Sequence, residues 1–201
     1  VVLDFYSSIH RKNPFGAIHA FMRAFPRGDE PVSLLIKTSN CVDFPEDFRA
    51  LVRLAHSDAR ITIIDAVLSS PKQRGLIASA DALISLHRSE GFGLVLAESM
   101  ALGKVVIATG WSGNTEFMSR ANACLIDYSL VPVEGHQYPH ALGARWAEPD
   151  LDQSANLMRN LAEGRFDSTN LVIAAQLSVA SQLNPAKIAN DLILAIDRLR
   201  H

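Results

Sequence analysis

The chain has 201 residues, 48% hydrophobic and 20% charged, the balance of one folded domain in water. A net charge of −2 with 19 scattered basic residues excludes a polyanion footprint, so no nucleic-acid partner is expected. The two cysteines, Cys41 and Cys124, lie in no paired spacing; this excludes a disulfide framework and a cysteine zinc site and favours a reducing compartment.

In chain order, Val1 to Tyr6 reads as a first strand, and Ser7 to Lys12 as a polar connection. Asn13 before Pro14 is a helix start, and Phe15, Ile18, Phe21, Met22 and Phe25 keep helical spacing until Pro26. Further strands are expected at Pro31–Ile36, Ile61–Ile64, Ala82–Leu86, Val105–Ala108 and Ala123–Ile126. Helices are expected at about Pro45–His56, Ser70–Ser79, after Gly93 to Leu102, and over the short Thr115–Met118. Asp127 to Trp146 has no period and reads as a long loop. Helices at about Asp150–Glu163, Asp167–Leu183 and Pro185–Arg200 close the chain. No apolar run reaches the about 18 residues that a membrane helix needs. The absence of a starting Met and the opening inside a strand read as a piece of something longer.

Six alternations of strand and helix, with strands apolar on both faces, predict a Rossmann-like α/β fold. The expectation is a doubly wound, six-stranded parallel sheet covered by helices on both faces, with extra C-terminal helices. Ligands of such sheets sit beyond the carboxyl ends of the strands. There the sequence places Ser7 to Lys12, Asp65 to Ser69, His87 to Gly93 and Thr109 to Asn114.

One of these connections stands out: the polar loop His87-Arg88-Ser89-Glu90, then Gly91-Phe92-Gly93, then an apolar helix carrying Glu98. A helix N-terminus offers unpaired N–H groups and a partial positive charge, which suit phosphate. Carboxylates do not bind phosphate but accept hydrogen bonds from hydroxyls, so Glu90 and Glu98 flanking the turn suggest a nucleotide sugar. The dinucleotide and Walker fingerprints are absent. Arg11 and Lys12 at the end of the first strand could neutralise a diphosphate leaving group. Arg88 is expected to pair with Glu90, and Lys37 is a lesser candidate. His10 and His87 could donate to a phosphate or sugar, though a lone loop histidine is more often simply exposed. Thr109, Ser112, Gly113 and Asn114 either hold a second anion or sugar hydroxyl, or do turn chemistry. No metal-ligand spacing occurs.

The run from Ser85 to Phe117 resembles the C-terminal half of retaining GT-B glycosyltransferases of family GT4. Glu90 and Glu98 match its Glu-x7-Glu signature, Gly91-Phe92-Gly93-Leu94 its glycine turn, and Arg11-Lys12-Asn13-Pro14 its basic segment. Trp146 to Asp150 is similar to its late segment. The resemblance implies one donor-binding domain spanning residues 1–201, half of a GT-B fold, whose full enzyme moves a hexosyl group onto a glycan or lipid-linked acceptor. It implies no cofactor or metal, with the nucleoside diphosphate sugar as substrate. Glu90 and the amides of Phe92, Gly93 and Leu94 would contact the sugar and diphosphate, beside Gly91. Glu98 would hold the ribose, and Lys12 with Arg11 the diphosphate. Val67 and Leu68 would border the base, with Ser8 and Thr109 also on the donor. Ser7 stands where many members carry an arginine. The acceptor domain would be a further Rossmann-like half, toward which the helix of about 185–200 would pack. The expected location is cytoplasmic, with any contact to the inner face of the membrane made through that half. The HRSEGFG form tilts the expectation toward polysaccharide assembly and GDP-mannose. A GT-B phosphorylase or epimerase, or a non-catalytic nucleotide-binding module, are the alternatives.

Overall fold

The computed structural model describes residues 1–198. Val1 to Leu3 runs extended beside what becomes the first strand, with Leu3 N–H donating to the Lys37 carbonyl at 3.0 Å. The Asp4 carboxylate then accepts from the Tyr6 amide, and the chain coils into a 3-10 turn over Phe5–Ser7. The expected first strand is therefore shortened to a single bridge at Val2, because Asp4 caps a turn before a ladder can extend. The expected polar connection holds a one-turn helix, α1 (Ile9–Lys12), followed by α2 (Pro14–Ala24).

Strand β1 (Leu34–Thr38), helix α3 (Pro45–Ala55), strand β2 (Ile61–Asp65) and helix α4 (Ser70–Ala78) follow. Then come β3 (Ala82–Ser85), α5 (Leu94–Ala101), β4 (Val105–Thr109), a 3-10 turn at Gly113–Glu116 and β5 (Cys124–Ile126). All five strands pair in parallel, β1 with β2 and β3-β4-β5 in order. They form two sheets rather than the one six-stranded sheet expected. Between Val2 and β3 runs a crevice of about 1100 Å³ lined by Val1, Leu35, Lys37, Leu83 and Ile84 among others. Val1 to Leu3 spends its hydrogen bonds on Leu35 and Lys37.

Helices cover both faces, as the doubly apolar strands require. On one face Ile18, Phe21 and Leu51 pack with Leu34, Ile36, Ile84 and Ile107. On the other, Leu96, Ala97, Met100 and Ala175 pack with Leu83, Val106 and Ala108.

The expected loop after β5 contains an antiparallel hairpin, β6 (Tyr128–Pro132) with β7 (Arg145–Pro149). Sequence periodicity missed it because each strand is only five residues, and β6 alternates little in burial. Helices α6 (Leu151–Ala162), α7 (Thr169–Gln182) and α8 (Pro185–Arg198) end the described chain. The expected end of the last helix at Arg200 lies outside the described residues. No helix among the described residues is long and apolar enough to cross a membrane.

Candidate functional site

The cations are placed by Asn13. It sits in the left-handed region at φ 48°, which asparagine tolerates, and so both ends α1 and begins α2. Its Oδ1 accepts from Gly16 N–H at 3.1 Å and its Nδ2 donates to the Leu86 carbonyl at 2.9 Å. A Cβ at position 16 would stand 2.5 Å from the Asn13 amide, so glycine is required there. The result pins the end of α1 to the chain leaving β3. Lys12 Nζ then meets Glu90 Oε2 at 2.5 Å, and Arg11 reaches Glu90 Oε1 at 3.6 Å. Arg11 also donates to the carbonyls of Ser7 at 2.9 Å and Ser89 at 2.8 Å.

Glu90 is only 11% exposed at its side chain. Burial pushes its carboxyl up, but the Lys12 hydrogen bond and charge, with Arg11, outweigh it and hold it below the usual carboxylate value. Its main chain is held by the loop after β4. Glu90 N–H donates to Ser112 Oγ at 2.7 Å, and Gly113 N–H donates to the Glu90 carbonyl at 2.9 Å. A Cβ on Gly113 would lie 1.9 Å from the Gly91 carbonyl oxygen, so the two loops touch with no room for a side chain.

The turn then enters α5 through Gly93, at φ 94° and with no side-chain cap. The first-turn amides of α5 thus point out unneutralised by any acid of that turn. They open onto a cavity of about 260 Å³ lined by Lys12, Ser85, Glu90, Phe92, Gly93 and Leu94, among others. Positive charge, a carboxylate and helix amides therefore converge on one small space.

The remaining expected residues are dispersed. Glu98 is half-buried on the second turn of α5, and its carboxylate makes no hydrogen bond or ion pair recorded among the described residues. Ser8, at φ 62°, caps α1 and donates to the Gln137 carbonyl at 3.1 Å. Val67 is 82% exposed beyond β2, with Leu68 half-buried beside it. Thr109 is fully buried, because β4 is covered on both faces, and its hydroxyl has no hydrogen-bond partner among the described residues. His87 is likewise fully buried rather than exposed. His10 is half-buried against His136. Arg88 does not pair with Glu90; its guanidinium takes Glu148 in two hydrogen bonds of 2.6 and 3.1 Å and lies over the Trp146 ring. Lys37 is buried beside the central crevice, away from this cavity. Asn13 and Ser85 went unsingled as site residues, because an Asn-Pro pair and a strand-end serine carry no chemical signal on their own. Among the described residues no cluster could hold a metal ion.

The sequence profile of the family described as Glycosyl transferases group 1 matches residues 3–133, and the chain belongs to that family. No curated protein matches the chain by sequence. Among solved structures, Anabaena HepE with UDP-glucose superposes with TM-score 0.65 at 16% identity, over 92% of this chain and 46% of that one. WaaG, a glycosyltransferase involved in lipopolysaccharide biosynthesis, gives TM-score 0.60 at 18% identity over 90% of this chain and 42% of that one. The GtfA/B complex gives TM-score 0.68 at 17% identity over 99% and 35%. The chain thus spans less than half the length of the structures it matches. The fold is that of a GT-B glycosyltransferase domain.

Proposed function

We propose that this chain is the donor-binding domain of a retaining, GT4-like glycosyltransferase. The observation that carries the reading is the meeting of Lys12, Glu90 and the uncapped start of α5 around one 260 Å³ cavity. A diphosphate gains negative charge as its glycosidic bond breaks; Lys12, Arg11 and the amides of Phe92, Gly93 and Leu94 supply the opposing field. Glu90 accepts from sugar hydroxyls, and the unpaired Glu98 accepts from the ribose. Val67 and Leu68, at the end of β2, border the base.

The matched HepE structures hold UDP, UDP-glucose, or UDP with glucose, which supports a nucleoside diphosphate hexose as donor and gives GDP-mannose no support. In this reading the acceptor, a glycan or lipid-linked sugar, is held by a second domain, and the enzyme works in the cytoplasm, touching the inner membrane face only through that domain.

A thermal-shift panel of UDP-, GDP- and ADP-sugars tests the reading. Stabilisation by at least one of them is expected, growing with concentration as binding to the native state alone requires. No response to any would overturn the donor-site reading.

A further inference from the structure

His87 has a hydrogen-bond contact at both ring nitrogens. Nε2 lies 3.1 Å from Asn114 Oδ1 and 3.3 Å from the Trp111 carbonyl oxygen, and Nδ1 lies 3.0 Å from Ser85 Oγ. The Asn114 amide is oriented by its other contact, Nδ2 donating to the Thr109 carbonyl at 3.1 Å. Its oxygen therefore faces the ring. Two acceptors at Nε2 demand the proton there, which leaves Nδ1 to accept from the Ser85 hydroxyl. The ring is thus neutral and of one tautomer. A second proton would reverse the Ser85 bond and put a charge in a fully buried place. Of the charged groups facing it, Glu90 favours that proton and Lys12 opposes it, but burial dominates and holds the ring below its ordinary 6.5.

Trp111 and Asn114 flank Ser112 and Gly113, the two residues that grip the main chain of Glu90. We propose that His87 is a positioning residue for Glu90: its Nε2–H anchors both ends of the Trp111–Asn114 strap, and the strap holds the carboxylate against Lys12. The same tautomer spends the Ser85 proton inward. Ser85, which lines the cavity, then offers lone pairs to it and serves as an acceptor for a ligand hydroxyl. The ligand part of this proposal rests on the donor-site reading; the strap and the tautomer do not.

Three measurements on the chain decide it, using His87→Gln, which keeps an N–H near the position of Nε2, and His87→Phe, which keeps bulk alone. First, imidazole nitrogen shifts of the wild type should show a neutral Nε2–H ring; an Nδ1–H ring, or titration at the ordinary 6.5, overturns the proposal. Second, amide exchange at Glu90 and Gly113 should stay slow in His87→Gln and quicken in His87→Phe. Equal protection in a folded His87→Phe reduces His87 to core filling and overturns it. Third, UDP affinity by calorimetry should fall about tenfold in His87→Phe and by no more than about threefold in His87→Gln, the scale of one hydrogen bond. The reverse order overturns it. If the wild type binds no UDP, UDP-sugar, GDP or ADP, the donor-site reading falls, while nitrogen shifts and exchange still decide the role of His87. Where His87→Phe does not fold, the nitrogen shifts of the wild type decide alone.

Discussion

Lys12 and Glu90 stand 78 residues apart in sequence and 2.5 Å apart in space. Both side chains are mostly enclosed, at 19% and 11% exposure. Breaking a buried pair leaves the survivor's charge uncompensated, a cost that can reach about 3–5 kcal/mol. Arg11 at 3.6 Å limits that cost here. Lys12→Met is expected to lower unfolding stability by about 1–2 kcal/mol in urea titration, and Lys12→Met/Glu90→Gln by less than the sum of the single losses. Additive losses would show that the two groups do not interact.

Glu98 makes the opposite test. Its carboxylate has no hydrogen bond or ion pair recorded among the described residues, so Glu98→Ala should change stability by no more than about 0.5 kcal/mol. Nucleotide affinity should fall by about 1.5–3 kcal/mol in titration calorimetry, the range for a lost charged hydrogen bond. Unchanged affinity in the folded variant would remove Glu98 from the ribose.

Two glycines of the site are predicted to differ in kind. Gly93→Ala meets strain from φ 94° and a Leu96 methyl carbon at 2.9 Å, an end that can yield. The expected cost is about 1–2 kcal/mol. Gly113→Ala would drive a methyl to 1.9 Å from the Gly91 carbonyl oxygen, which is backbone and cannot yield alone. It should cost about 3 kcal/mol or more and separate the loops around Glu90. Thermal unfolding of the two variants checks the order.

Stability should fall in two stages on acidification. His87 is held below its ordinary 6.5 by burial, so the unfolded chain binds its proton first and stability drops as pH falls through 6.5. Glu90 and Asp58 are held below their ordinary 4.5 and 3.8 despite burial, Glu90 by Lys12 and Arg11, Asp58 chiefly by its hydrogen bond to Arg60. Their contribution is present above those values and is lost as pH drops through the lower folded-state values. Urea midpoints from about pH 8 to about pH 3 should show the upper stage shrink in His87→Gln while the lower stage remains; what is left of the upper stage belongs to His10 and the Val1 amino group, which burial also holds below their ordinary values.

Periodicity made α2, α3, α5 and the parallel strands readable, since each buries one or two apolar faces. It failed where a side chain overrides pattern: Asp4 turns the chain at Phe5, and Ser8 with Asn13 makes a helix of four residues. The meeting of Arg11, Lys12 and Glu90 was legible because parallel topology brings strand ends to one edge. The partners of Arg88 and His87 were not. Arg88 turns to Glu148 because the hairpin brings Trp146 and that carboxylate beside it, and the hairpin leaves almost no signal in five-residue strands. The burial of His87 depends on acceptors from Asn114 and Trp111, which lie 27 and 24 residues away.

The bridge from Asn13 Nδ2 to the Leu86 carbonyl has a consequence for ligand energetics. It sets the separation of cation and carboxylate by one amide on short, stiff chain, with Asn13 itself only 2% exposed. In the donor-site reading, a diphosphate entering the cavity would find the Lys12 and Arg11 cations already placed. The entropy that mobile lysines and arginines lose on capturing an anion has been met during folding, so more of each contact remains as affinity.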